Sequence, residues 1–176
     1  ESRGMGPRYS EEDTGLGVGV ERRGQKQPKK EAEKLNVWAG SGENRELSNL
    51  APRPFDYDGR HYFSVEHAYQ TLKSGTFDAA TYAKYTSGGY RKIPGRAAKT
   101  EGGYNVALME RLMRASFEQN PDAMDKLRAT GVAKITHEQD RGMWREEFPR
   151  ILMEIRDRAR GTEKRPSRVI LPQISR

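Results

Sequence analysis

The sequence contains no cysteine among its 176 residues. Disulfide bonds, thiolate zinc sites and cysteine nucleophiles are therefore excluded, and a reducing compartment is favoured. The sequence also lacks any run of about 18 apolar residues that would cross a membrane, and its first residues lack the apolar segment of a signal peptide. We therefore expect a cytoplasmic protein with no membrane partner.

Histidine is scarce, with only His61, His67 and His137 in the chain. Their spacing matches neither HxxxH nor HExxH, the patterns that place two zinc ligands on one face of a helix. We therefore predict no metal site and no cofactor.

Large apolar residues are few at both ends of the chain. Residues 1–35 mix glycine with charged side chains, which cannot repay the entropy of ordering the chain, and they are predicted to form a flexible arm. Residues 161–176 form a predicted basic tail in which Pro166 and Pro172 oppose regular structure. Residues 36–160 have the length of one ordinary domain.

The net charge of +7 is spread along the sequence, with +1 on residues 1–35, +3 on residues 36–160 and +3 on residues 161–176. A nucleic-acid surface requires basic residues gathered on one face. The mild charge of the central segment favours an ordinary mixed surface, and the alternative is an electrostatic partner such as nucleic acid or a phosphorylated nucleotide.

Short strands are predicted at residues 36–39 and 60–63, the second after a turn at residues 57–59. Ser64 then stands where a helix N-cap is expected, and apolar residues recur at helical spacing until Gly75.

A longer core helix is predicted from an apolar stripe of Val106, Met109, Met113 and Phe117. Pro121 is expected to open a further short helix, and Pro149 to open the last one. The predicted fold class is α+β and mostly helical, a compact single domain with a few short strands and flexible termini.

Glu66 is the first candidate for chemistry because it would lie in the first turn of the helix that follows Ser64. The helix dipole and free backbone amides there favour an ionised carboxylate, ready to act as a base. The alternative is that Glu66 serves only as an ordinary helix cap.

The segment of residues 136–144 is predicted to be a loop and combines His137, Asp140 and Trp144. A carboxylate offsets the charge of a developing oxocarbenium ion, and an indole offers a flat face to a base or sugar. The alternative is a buried anchoring tryptophan beside an exposed acidic loop.

A third candidate is the polar, glycine-containing segment of residues 41–50. Ser48 and Asn49 offer neutral donors and acceptors, and the guanidinium of Arg45 suits a phosphate. The alternative is a surface loop without a ligand.

Two stretches resemble the NADAR family of N-glycoside and ADP-ribose hydrolases. Residues 47–50 read LSNL and residues 58–73 read DGRHYFSVEHAYQTLK, similar to the family pattern LSNF followed by DGxxxxSxEHxxQxxK. Residues 114–121, 130–144 and 152–156 resemble its closing elements, so that the likeness covers about 120 residues in one order.

The resemblance implies a compact, mostly helical domain that cleaves an N-glycosidic bond of a ribose. It assigns catalytic roles to Glu66, Asp140 and Trp144 and places Asn49 in the ligand pocket. Ser48, its neighbour, is a further predicted substrate-binding residue. One branch of the family hydrolyses phosphorylated ribosylamino-pyrimidines near riboflavin synthesis, and another removes ADP-ribose from guanine in nucleic acid.

The predicted function is therefore hydrolysis of a ribosyl N-glycosidic bond, with Arg45, Lys73 or Arg141 holding a phosphate. The expected partner is a small ribosyl phosphate or an ADP-ribosylated nucleic acid. Two alternatives remain: a non-catalytic ADP-ribose or nucleotide reader, and a nucleic-acid-binding accessory protein that uses its basic arms.

Overall fold

The computed structural model describes residues 32–84 and 105–163. The elements in chain order are β1 (Lys34–Asn36), a 3-10 turn (Arg45–Leu47), β2 (Phe55–Tyr57), β3 (Arg60–Tyr62), α1 (Val65–Leu72), α2 (Ala79–Lys84), α3 (Val106–Glu118), α4 (Pro121–Ala129), β4 (Lys134–Thr136) and α5 (Trp144–Glu163). This architecture confirms a mostly helical α+β fold. None of the helices in these two segments is long and apolar enough to cross a lipid bilayer. Most of the predicted arm and tail lies outside the described residues.

The strands β2 and β3 form an antiparallel hairpin in which Phe55 pairs with Tyr62. Its two-residue turn is Asp58-Gly59, and both residues have positive φ, 49° and 75°. Such turns match the twist of the flanking strands and favour Asp-Gly. The turn and β3 follow the prediction, whereas β2 was not predicted.

The strands β1 and β4 pair in parallel, with Leu35 opposite Ile135. Ile135 is 1% exposed, so this short pairing carries an apolar residue into the core. The predicted strand at residues 36–39 is displaced: β1 ends at Asn36, and β4 was not predicted. A three-residue strand with a single buried apolar side chain shows no alternating pattern, and its partner lies about 100 residues away in the sequence.

The core lies among α1, α3, α5 and the strands. α3 buries Met109, Met113 and Phe117 of the apolar stripe predicted for it, and Val106 of that stripe is partly buried. The largest side chains that are almost completely enclosed are Tyr62, Phe55, Phe117, Leu112, Met113, Leu127, Ile135, Ile151 and Leu152. Burial of this kind contributes about 1.5 to 3 kcal/mol for each large apolar side chain.

The start of α5 corrects the prediction that Pro149 opens the last helix. α5 begins at Trp144, and Pro149 lies inside it. Proline costs the hydrogen bond to the carbonyl one turn earlier, but Phe148, 3% exposed, anchors this first turn in the core. Trp144 therefore belongs to a helix rather than to a loop.

The start of α1 follows the prediction. The hydroxyl of Ser64 accepts a hydrogen bond from the amide of His67 at 3.1 Å, which caps the helix. His67 is itself 1% exposed. Its Nδ1 accepts from the amide of Phe63 at 3.1 Å, and its Nε2 donates to the carbonyl of Tyr82 at 3.0 Å. The neutral imidazole thus joins α1 to α2.

This contact makes stability depend on pH. Burial lowers the pKa of His67 in the folded protein, and the nearby His61 lowers it further, against the effect of the Tyr82 carbonyl. The unfolded chain therefore takes up a proton near pH 6.5 while the folded chain does not. We expect the free energy of unfolding to fall as the pH drops below about 6.5, and to fall less steeply in His67→Gln.

The measurement is urea unfolding at several pH values between 7.5 and 5 in about half-unit steps. His61→Gln removes an exposed imidazole that also lowers the pKa of His67, so its slope should be only slightly shallower than that of the wild type. Equal pH slopes in the wild type and His67→Gln would contradict the prediction.

Candidate active site

One face of α1 carries four side chains that point the same way. Glu66, Tyr69, Gln70 and Lys73 follow the spacing i, i+3, i+4 and i+7, which aligns residues along a helix. We call them the α1 stripe. The amide nitrogen Nε2 of Gln70 donates to Oε1 of Glu66 at 2.6 Å, and the charge of Lys73 acts on the same carboxyl.

The electrostatics of Glu66 differ from the prediction. Its position in the first helical turn is confirmed, but burial raises the pKa of its carboxyl. The Gln70 hydrogen bond and the Lys73 charge act in the opposite direction and are the smaller effects. The prediction that the helix terminus favours the ionised form was wrong because it neglected the loss of water around the carboxyl.

Asn49 lies against the start of α1. Its backbone carbonyl accepts from the amide of Glu66 at 3.0 Å, and its Nδ2 points at the sulfur of Met109 at 3.4 Å. Its Oδ1 is buried and has no hydrogen-bond partner among the residues that the structure describes. Asn49 is therefore next to Glu66.

Ser48 occupies a different environment from Asn49. It is 8% exposed, and its hydroxyl accepts from the amide of Leu50 at 3.1 Å. Arg53, 4% exposed, donates to the carbonyls of Glu46 and Ser48 at 2.7 and 2.8 Å. The buried guanidinium thus shapes the loop that presents Asn49, and Ser48 serves that loop.

Trp144 reaches the α1 stripe through Tyr69. The two rings meet edge to face with centroids 5.5 Å apart, and the Tyr69 hydroxyl accepts from the amide of Asn105 at 3.1 Å. Trp144 is only partly buried. It therefore packs with one side on the domain and retains exposed surface.

Asp140 is held beside His137. The atoms Oδ2 of Asp140 and Nε2 of His137 are 3.5 Å apart, and Oδ1 accepts from the amide of Gly142 at 2.8 Å. His137 Nδ1 donates to the carbonyl of Val37 at 2.8 Å. These contacts fix the side chain of Asp140 next to the His137 ring.

Asn36 is a positioning residue that the sequence reasoning missed. Its Oδ1 accepts from Thr136 Oγ1 at 3.2 Å and from the amide of Glu138 at 3.0 Å. Its Nδ2 donates to Glu43 and Gln139 at 3.0 and 2.8 Å. One amide thus joins β1 to the segment that carries Asp140. Three of its four partners, Thr136, Glu138 and Gln139, lie about 100 residues away in the sequence, so little local signal marks it.

The three predicted phosphate contacts lie in separate places. Lys73 ends the α1 stripe, where burial lowers its pKa and the charge of Glu66 acts in the opposite direction. Arg141 is exposed and follows Asp140 directly. Arg45 lies in the 3-10 turn, where the neighbouring Glu46 pairs with Lys126 of α4 at 3.4 Å. Lys73 and Arg141 are thus adjacent to the two candidate carboxylates.

A groove of about 290 Å³ lies elsewhere on the domain, between the 3-10 turn and α4. Its lining residues are Leu35, Asn44, Glu46, Leu47, Lys126, Ala129 and Thr130. None of them belongs to the α1 stripe, and the groove contains only one carboxylate, already paired with a lysine. We therefore place the candidate site at the α1 stripe. Among residues 32–84 and 105–163, no three His, Asp or Glu side chains group to hold a metal ion.

The comparison with known proteins gives a likeness in fold. No protein-family model matches the sequence, and no curated protein matches it. The NMR structure of the E. coli protein YbiA is similar, with a TM-score of 0.57 and 22% sequence identity over 78% of this chain and 92% of that one. This likeness shows the fold alone, and it supports the NADAR-like fold that the motifs imply.

The buried carboxyl of Glu66 leads to a prediction about stability. Because its pKa is raised in the folded state, the folded protein binds the proton more tightly than the unfolded one. Stability from this group is therefore full at low pH and is lost as the pH rises through the folded pKa. We expect Glu66→Gln to be more stable than the wild type at pH 7 and equal to it near pH 4.

Thermal unfolding at both pH values measures the difference. The exposed Glu118→Gln is the matched control and should leave the melting temperature nearly unchanged. If Glu66→Gln were less stable by the same amount at both pH values, Glu66 would be an ordinary helix cap.

Proposed function

We propose that this protein is a hydrolase that cleaves an N-glycosidic bond of a ribosyl compound. The observation that carries the proposal is the carboxyl of the partly buried Glu66: burial raises its pKa, Gln70 donates a hydrogen bond to it, and Asn49 is bonded to its backbone. A carboxyl with a raised pKa is a stronger base when ionised than one in water, and such groups are typical of active sites. The motif resemblance of the sequence points to the same reaction.

The proposed reaction consumes one water molecule. The bond from C1′ to the base nitrogen breaks, and its electron pair leaves with the base. The oxygen of water bonds to C1′ while Glu66 accepts a proton from that water, and the proton then passes to the base nitrogen. General base catalysis of this kind contributes about 10² to 10⁴ in rate.

Asp140 and Trp144 have supporting roles in the proposal. The Asp140 carboxylate, oriented by the Gly142 amide and His137, offsets the positive charge that develops at C1′. Trp144 keeps exposed surface beside Tyr69 and stacks on the departing base.

The substrate classes proposed are phosphorylated ribosylamino-pyrimidines and ADP-ribosylated guanine. Both contain phosphate, which requires a cation near the sugar. Lys73 and Arg141 are the proposed phosphate contacts because they adjoin Glu66 and Asp140. Arg45, in the turn that precedes Asn49, is the third.

A mass-spectrometric screen for released base tests the proposal. The substrates are ribosylamino-pyrimidine phosphates, ADP-ribosylated guanosine and ADP-ribosylated DNA. Release of base by the wild type and not by Glu66→Gln is expected. Binding of ADP-ribose without any turnover would identify a reader module instead.

Glu66→Gln is expected to lower kcat by more than about 100-fold, because the amide keeps the size of the side chain and lacks a proton acceptor of useful strength. In the wild type, kcat/KM should fall as the pH drops through the raised pKa of Glu66, since protonation removes the base. Glu118→Gln is the control and should keep full activity. A Glu66→Gln enzyme with normal turnover would exclude the proposed role.

Trp144→Ala is expected to raise KM and lower kcat, because stacking on a base contributes about 1 to 3 kcal/mol. Trp144→Phe should show smaller changes in both. Thermal unfolding of the same samples reports the packing contribution. A core anchor would instead lose about 3 to 5 kcal/mol of stability.

Fluorescence separates the two roles of Trp144 when Trp38 is replaced by phenylalanine. Saturation with ADP-ribose, verified by calorimetry, should then change the remaining emission. Unchanged emission would show that Trp144 does not face the ligand.

A further inference from the structure

Gln70 carries a feature that the proposed reaction does not use. Its Nε2 donates to Glu66 Oε1 at 2.6 Å. Its Oε1 is buried and has no hydrogen-bond partner within the described part of the chain. A buried carbonyl oxygen without a donor is unfavourable and uncommon in folded proteins. The oxygen is therefore an acceptor that the described protein groups leave unused.

The charge of Glu66 determines which way the Gln70 amide faces. An ionised carboxylate accepts hydrogen bonds only, so the NH2 group of Gln70 must point at it. The carbonyl oxygen then points away from Glu66. With a C=O bond of about 1.23 Å and a C–N bond of about 1.33 Å, the oxygen lies only about 2.3 Å from Nε2. It is therefore close to the reacting carboxylate.

Asn49, whose backbone is bonded to that of Glu66, carries a second acceptor without a partner. Its backbone carbonyl is bonded to the Glu66 amide, while its buried Oδ1 has no partner among residues 32–84 and 105–163. Two amide oxygens and a carboxylate together would repel a phosphate. They suit a ligand that donates hydrogen bonds, and the hydroxyls of a ribose do so.

We propose that Gln70 holds Glu66 in place and accepts a hydrogen bond from the 2′-hydroxyl of the substrate ribose. The 2′-hydroxyl is chosen because it is on the carbon next to C1′, where Glu66 acts. The proposal rests on the proposed function and deepens it, since it orients the sugar on the α1 stripe. Phosphate groups are then directed away from Gln70 and Asn49, toward the cations.

The test uses Gln70→Met, which keeps the length of the side chain and removes the amide. A ribosyl substrate found in the base-release screen is compared with its 2′-deoxy analogue in both enzymes. The intrinsic reactivity of the two substrates is the same in each enzyme and cancels in the ratio. We expect the preference of the wild type for the ribosyl substrate to fall by about tenfold or more in Gln70→Met.

The role toward Glu66 has its own measurement, which needs no substrate. Carbon NMR follows the Glu66 carboxyl during a pH titration, with the signal assigned by Glu66→Gln. Loss of the Gln70 hydrogen bond should raise the pKa of Glu66 in Gln70→Met, and move the acid limb of kcat/KM in the same direction. Gln119→Met, outside the α1 stripe, is the matched control and should do neither.

Each result has one interpretation. An unchanged preference for the ribosyl substrate would overturn the hydroxyl contact, and an unchanged Glu66 titration would overturn the positioning role. If Gln70→Met fails to fold, Gln70→Glu serves instead, because it keeps an acceptor for the hydroxyl. It also places a second carboxyl beside Glu66, which should raise the pKa of Glu66 further. A wild type that releases no base, with the Glu66 titration still shifted in Gln70→Met, would refute the proposed function and the hydroxyl contact but retain the positioning role.

Discussion

The burial of α1 is the constraint from which the candidate site follows. Five of its eight residues are buried, so polar groups on this helix lose most of their water. Ser64 satisfies the amide of His67, and Thr71 donates to the His67 carbonyl at 2.7 Å. Glu66 and Gln70 satisfy each other only in part. The excess of hydrogen-bond acceptors over donors on this face of α1 therefore follows from the packing of the helix, and not from a loop that could rearrange.

The same burial lowers stability while it supports the proposed activity. A carboxyl that is kept from water costs free energy when it ionises. The shared hydrogen bond with Gln70 and the charge of Lys73 reduce this cost without removing it. An ionisation cost that partners do not fully offset is typical of functional groups, because a base that is fully neutralised by partners has lost its reactivity.

Two separate devices position candidate residues that lie outside α1. The buried Arg53 donates hydrogen bonds to the carbonyls of the turn that precedes Asn49. Its guanidinium lies 4.2 Å from the ring centre of Phe117. On the other side, Asn36 and the pairing of β1 with β4 hold the segment that carries Asp140. Both devices join residues far apart in the chain, so the site depends on the whole domain rather than on one motif.

The sequence by itself determined the local structure wherever neighbouring residues decide it. The Ser64 cap, the Asp58-Gly59 turn and the apolar stripe of α3 were all predictable, because capping, turn geometry and helical periodicity act over a few residues. The motif of α1 likewise predicted a NADAR-like fold, and the order of its residues was enough to single out Glu66.

Only the tertiary structure decided the environment of these groups. It showed that burial outweighs the effect of the helix terminus on the pKa of Glu66. It also showed that α5 begins at Trp144 rather than at Pro149, and that β4 is a strand. Solvent exclusion and strand pairing depend on chain segments about 100 residues apart, as for Asn36 and Thr136. A sequence pattern does not report contacts between segments that are distant in the chain. The pKa of a carboxyl is set by what surrounds it in space.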